Sequence, residues 1–195
     1  MDRGRFGGSK RFHFAGFDMR MMIRMSSASG KRDDISMGKE EEIARRIADW
    51  IGDSVVVNDD GTPKAVVHVS EWNGEGEFKK EYMNGGRLGK VFYFSDEPDF
   101  SYGRYAREYY LKIERPFYPD KHSGRILSPD EANAFGKAID GVDYGVKRPI
   151  PMMELVEGLK NEDNFGEAMK AIGYDGIIVD GIYGVFDQSQ IMKAD

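Results

Sequence analysis

The segment Gly176-Ile177-Ile178-Val179-Asp180-Gly181-Ile182-Tyr183-Gly184-Val185-Phe186 constrains the fold more than any other. Two runs of β-branched and aromatic residues, Gly176 to Val179 and Ile182 to Phe186, flank an Asp-Gly pair. Asp and Gly tolerate the positive backbone angles of a two-residue turn, so the pattern specifies a tight antiparallel hairpin. Helical signals precede it. Met152 to Lys160 and Asn164 to Ile172 carry apolar residues at helical spacing, and Gly173 stops the second run. Ser128-Pro129-Asp130-Glu131 is a capping box with Pro at the first helical position, opening a helix to about Ile139.

Upstream, Ser36 is placed to cap a helix from about Gly38 to Ile51, with Ile43, Ile47, Trp50 and Ile51 on one face and Gly52 ending it. Ser54 to Asn58 and Lys64 to Val69 are Val-rich and flank Asp59-Asp60-Gly61-Thr62-Pro63, a second hairpin signal. Glu71 to Gly89 is polar and glycine-rich, a loop of the length used for binding or for a lid. Val91 to Ser95 predicts a strand, Asp96 a helix cap with the helix running to about Tyr109, and Tyr110 to Glu114 a further strand. Phe12 and Phe14 alternate with His13 as a short strand would. Antiparallel pairs with helices between them predict an α+β fold.

Composition narrows the function. Charged residues make up 32% of the 195, which describes a globular chain, and no apolar run approaches the roughly 20 residues that span a bilayer. The start lacks the basic, apolar and small-residue order of a secretory signal. With no Cys there is no disulfide or thiolate chemistry, which fits the cytoplasm. The histidines His13, His68 and His122 have no metal-ligand spacing, so no metal is expected. Through Arg32 eight basic residues face two acidic ones, so that segment carries +6 and the remainder −12 of the net −6. Residues 1–37 therefore read as a basic, loosely ordered arm suited to a phosphate-bearing partner, and 38–195 as one domain. The acidic body does not suit a dedicated nucleic-acid binder.

Three short motifs carry chemistry. His68-Val69-Ser70 ends an apolar run at the lip of the long loop. Gly89-Lys90-Val91-Phe92-Tyr93-Phe94-Ser95-Asp96 holds the aromatic strand. Tyr183 to Ile191 reads Tyr-Gly-Val-Phe-Asp-Gln-Ser-Gln-Ile. In this order they resemble the catalytic core of ADP-ribosyltransferases of the diphtheria-toxin and poly(ADP-ribose)-polymerase type. The closest resemblance is to the transferase domains of phage and mobile-element polyvalent proteins. It runs from about Ser54 to Ala194.

The resemblance implies an ADP-ribosyltransferase-like fold of two packed antiparallel sheets, with residues 116–172 as a helical insertion. It implies NAD as substrate, cytoplasmic action as a toxin or effector, and transfer to a protein or nucleic-acid acceptor that the chain does not identify. Tyr93 and Tyr105, with Tyr102 the second choice, would sandwich nicotinamide by stacking and cation–π attraction. His68 would bond a ribose hydroxyl, the Val69 backbone and Ser70 would line the pocket, and Glu71 to Arg87 would cover it. Val69 replaces a family Gly. Ile182 stands where many members place a Glu, and Ile cannot accept a hydrogen bond or polarise a nucleophile. Asp180 has two readings, as a substitute catalytic carboxylate or as a turn residue. Gln190 matches a structural Gln. Mono-ADP-ribosyl transfer is the expectation, since polymer synthesis needs the Glu. The alternatives are a non-catalytic partner-binding module of the same fold and a small RNA-cleaving toxin using His68 as general acid or base.

Overall fold

A computed structural model of the chain describes residues 32–73, 77–83 and 85–194, with 32–37 and Lys39 described by backbone alone. The basic arm up to Lys31 and the strand expected at Phe12 to Phe14 lie outside them. The chain divides into two units, Met1–Glu42 and Ile43–Asp195. Of the first, only the start of helix α1 (Arg32–Ile51) is described. The helix begins before the Ser36 cap expected from sequence. Ile51 is buried, but Ile43 is half exposed, so the apolar face engages only over the last turn. Gly52, at a left-handed φ of 54°, ends it.

In the second unit, strands β1 (Ala65–Ser70), β2 (Phe92–Ser95), β3 (Tyr105–Leu111), β4 (Pro116–Phe117), β7 (Gly176–Val179), β8 (Ile182–Val185) and β9 (Ile191–Lys193) form a seven-stranded sheet in the order β4-β7-β8-β2-β1-β3-β9. Only β4 and β7 pair in parallel. Helices α2 (Pro119–His122), α3 (Pro129–Asp140), α4 (Met152–Leu159) and α5 (Phe165–Ala171) lie between β4 and β7 in sequence, with a separate ribbon of β5 (Ile126–Leu127) and β6 (Ile150–Pro151). The fold is α+β. Instead of the expected two antiparallel sheets there is one mixed sheet and a ribbon.

The sheet is weakly joined at one place. β1 and β3 share six register pairs and β2 and β8 share four, but β1 and β2 share one, Val67↔Ser95. Two half-sheets therefore meet at a single pair and leave a seam beyond it.

Alternation along the strands sorts the core into two layers. On one face Val91, Ile177 and Phe186 pack with the insertion's Phe135, Met152, Phe165 and Met169. On the other, Val66, Phe92, Phe94, Tyr109, Leu111, Tyr183 and Val185 pack together, with Phe78 from the long loop laid against them. Phe135 and Phe165 are fully enclosed, and burying each such ring contributes about 1.5–3 kcal/mol.

The capping box at Ser128 forms in full, its side chain accepting from Glu131 N–H while Glu131 reaches back to the Ser128 N–H. The helix expected from Asp96 to Tyr109 does not form. Asp99 caps a single 3-10 turn, Phe100–Tyr102, and from Tyr105 the chain is strand β3. Tyr109 and Leu111 are buried, as period-two burial requires. The first arm of the upstream hairpin shrinks to one bridge, Val57↔Pro63. Among the described residues, no helix is long and apolar enough to cross a membrane.

Candidate functional site

The seam between β1 and β2 gathers most of the residues singled out from sequence. Antiparallel pairing turns alternate backbone groups of β1 toward β2, and beyond Val67↔Ser95 those groups have no register partner there. Continuing that register sets His68 opposite Phe94 and Val69 opposite Tyr93, so the two motif strands face each other across the gap.

His68 bridges it. Its Nδ1 lies 2.8 Å from the Tyr93 carbonyl oxygen. A carbonyl can only accept, so Nδ1 carries the proton and Nε2 is left as an acceptor. The ring packs beside Phe78 at 5.1 Å, Phe94 at 5.4 Å and Tyr109 at 6.4 Å. Burial in this aromatic setting lowers the His68 pKa, against the smaller opposing effect of the Tyr93 carbonyl, and keeps the imidazole neutral.

Tyr93 points to the other face, where it packs against the layer built by the insertion. Its hydroxyl donates to the Gly89 carbonyl at 2.7 Å and accepts from the Leu88 N–H at 3.1 Å. The loop Gly85 to Gly89 is thereby fastened to β2. Gly86 lies so close that a Cβ there would stand 2.5 Å from the Tyr93 hydroxyl oxygen, and one on Gly85 would stand 2.7 Å from the Asn161 side chain. The Tyr93 pKa is raised, chiefly by burial and also by the nearby Tyr102 phenol.

The strand geometry separates the two candidates for the second aromatic. Tyr105 pairs with Ser70 across β1 and β3, on the face that His68 occupies, so it is not brought to Tyr93. Tyr102 sits on the 3-10 turn before β3, with 74% of its surface exposed. The expectation for Tyr105 assumed a helix, and the strand that forms instead turns its side chain away. Gly103, next to Tyr102, crosses the end of β1 so closely that a Cβ would stand 2.1 Å from the Ser70 backbone. Ser70 spends its hydroxyl on the Trp72 carbonyl at 2.9 Å, and Val69 is half-buried opposite Ala106.

Asp180 occupies the hairpin turn at φ 48°, followed by Gly181 at 74°. Consecutive positive angles are those of a type I′ turn, so Asp180 lies on no strand face. Its carboxylate stands 3.5 Å from the Arg87 guanidinium. Ile182 packs on the Tyr93 face, where it supplies apolar contact and no charge.

The long loop is anchored rather than laid loosely over the site, since Phe78 and Met83 both belong to the core. Gln190 is structural. Its side chain donates to the Lys112 and Asp175 carbonyls and accepts from the Phe186 and Asp187 N–H groups.

Sequence reasoning missed two groupings. Arg87 had no assigned role, although its place within Gly85-Gly86-Arg87-Leu88-Gly89 marks a side chain held on a close-packed loop. Lys64, Asp96 and Tyr183 also meet: Lys64 is 2.6 Å from Asp96, and the Tyr183 hydroxyl is 2.7 Å from Asp96 and 3.1 Å from Lys64. Their separation in sequence gave no signal. Among the described residues, no three His, Cys, Asp or Glu side chains lie together as a metal site would need. No protein-family model matches this chain, and no curated protein or solved structure matches it either.

Proposed function

We propose that the chain is an NAD-dependent mono-ADP-ribosyltransferase with an ADP-ribosyltransferase-like fold and its cleft at the β1–β2 seam. One observation carries this reading. The strands bearing His68 and Tyr93 follow one another in the chain and that bearing Tyr183 comes only after the helical insertion, yet the three are consecutive neighbours in the sheet, β1-β2-β8.

Each side chain then has a task. The Tyr93 ring, fixed by its hydroxyl, forms one wall for a flat cationic ring, and Tyr102 supplies the other. The seam-facing backbone around Val69 offers polar groups to a carboxamide. Neutral His68 lies on the opposite face of the sheet from the Tyr93 ring, so its Nε2 would meet a ribose hydroxyl only through the seam, while Nδ1–H stays on the Tyr93 carbonyl. With Ile182 in the carboxylate position, the chain supplies no base there, so the acceptor must bring its own nucleophile and charge.

A non-catalytic binding module of the same fold is the second reading, and Ile182 is the observation that favours it. Phosphodiester cleavage by His68 is the reading that RNA cleavage without NAD would support.

NAD should raise the melting temperature, with about 2.7 kcal/mol of stabilisation at a hundredfold excess over the dissociation constant. Tyr93→Ala should remove most of that gain. Labelled NAD incubated with lysate should mark an acceptor. Stabilisation without label transfer favours the module, and no stabilisation by millimolar NAD refutes the transferase reading.

A further inference from the structure

We infer that Arg87 is the contact for the diphosphate of a dinucleotide seated on Tyr93, and that Asp180 holds the guanidinium until that ligand displaces it. The inference rests on the proposed function and extends it to a residue given no role from sequence.

The loop presenting Arg87 is built to tight tolerances. Leu88 N–H is bound by the Tyr93 hydroxyl, the Gly89 carbonyl takes the Tyr93 proton, and Gly89 N–H returns to the Gly86 carbonyl at 3.0 Å. Lys90 N–H ties the loop's end to the Lys160 carbonyl at 2.7 Å. Side chains are excluded at both ends, since a Cβ on Gly86 would strike Tyr93 and one on Gly89 would stand 2.5 Å from the Lys160 carbonyl oxygen. Such closeness fixes the position of Arg87 relative to the Tyr93 ring.

The side chain itself is not committed. Arg87 and Asp180 are 68% and 81% exposed at 3.5 Å, and an ion pair so open to water is weak and opens easily. A guanidinium binds a phosphate through paired charge-assisted hydrogen bonds, which a solvent-screened carboxylate does not match. Asp180 in turn stands where it can compete, because the hairpin turn fixes its backbone.

Both neighbours of Arg87 touch the Tyr93 hydroxyl, Gly86 by close approach and Leu88 by its N–H, so a dinucleotide with one ring on Tyr93 would lie along the loop that carries Arg87. Exchange of Arg87 from Asp180 to the diphosphate would also free the Asp180 carboxylate at the hairpin turn. Ligand and turn therefore compete for one cation.

Titration calorimetry on the full chain tests this, with NAD, ADP-ribose and nicotinamide as separate probes. Wild type should bind all three. Arg87→Ala should weaken NAD and ADP-ribose by about tenfold or more and leave nicotinamide unchanged. Arg87→Lys should recover part of the loss, because it keeps the charge but not the paired geometry. Asp180→Asn should tighten ADP-ribose severalfold at low salt, with the gain fading as salt rises. Melting curves confirm that each variant folds, and Arg87→Gln replaces Arg87→Ala if that variant does not. Equal ADP-ribose affinity for wild type and the neutral Arg87 variant overturns the inference alone. Failure of wild type to bind any of the three probes overturns the transferase reading and this inference with it.

Discussion

Replacing Tyr93 by Phe removes one oxygen atom and keeps the ring, which separates the two tasks assigned to this side chain. The lost hydroxyl leaves the Leu88 N–H and the Gly89 carbonyl without the partners they have at 3.1 and 2.7 Å. Leu88 is 5% exposed, so water does not readily reach its amide. An orphaned buried polar group costs about 1–3 kcal/mol, and two groups with partial relaxation give a net loss of about 2 kcal/mol. In a unit of this size each kcal/mol moves the melting temperature by about 2–4 °C, so a fall of about 4–8 °C is expected. Hydrogen exchange gives the local reading: the Leu88 amide should lose protection more than the amides of β8 do. Stacking on the ring should survive, so nicotinamide binding should change far less than in Tyr93→Ala. Unchanged Leu88 protection, or a shift under about 1 °C, would show that the hydroxyl does not fasten the loop.

Three further outcomes follow from the same geometry. Burial lowers the His68 pKa, so the unfolded chain takes the proton first; the neutral ring's contribution is complete above the unfolded value near 6.5 and is lost as pH falls through the folded one. Acidification from pH 7.5 to 5.5 should therefore destabilise wild type more than His68→Asn, and parallel stability curves would refute this. Ile182→Glu should raise NAD hydrolysis while lowering stability by about 1–3 kcal/mol, as a half-buried unpaired carboxylate costs; a folded variant with unchanged hydrolysis would show that residue 182 does not face the reacting ribose. Ser128→Ala removes the cap of α3 and should cost about 1 kcal/mol in denaturant melts, with NAD affinity unaffected.

Local signals were legible where a few adjacent residues decide the structure. Asp180-Gly181 prescribes the hairpin by backbone preference, and Ser128 to Glu131 prescribes the start of α3 by hydrogen bonding within one turn. The segment after Asp96 misled because its aromatic residues fit either period. Pro98 and Asp99 are compatible with a helix start, and only pairing with β1 makes Tyr105 to Leu111 a strand. Placing the second aromatic depended on that choice, so the error in period passed directly to Tyr105. The two-residue parallel pairing of β4 with β7 is set by the intervening helices and leaves no trace in either strand. The Arg87–Asp180 and Lys64–Asp96–Tyr183 contacts join distant segments, which periodicity cannot report.

The single pair Val67↔Ser95 gives the sheet a mechanical character. Lys64, Asp96 and Tyr183 meet on one side of it and act as a clasp, while on the other the His68 side chain replaces the backbone ladder by its bond to the Tyr93 carbonyl. Val66 and Tyr109 of one half pack with Phe94 and Tyr183 of the other, so a shared apolar layer and not the backbone ladder holds the halves together. Charge removed from Lys64 would leave the Asp96 carboxylate with only the Tyr183 hydroxyl to fasten that side of the pair.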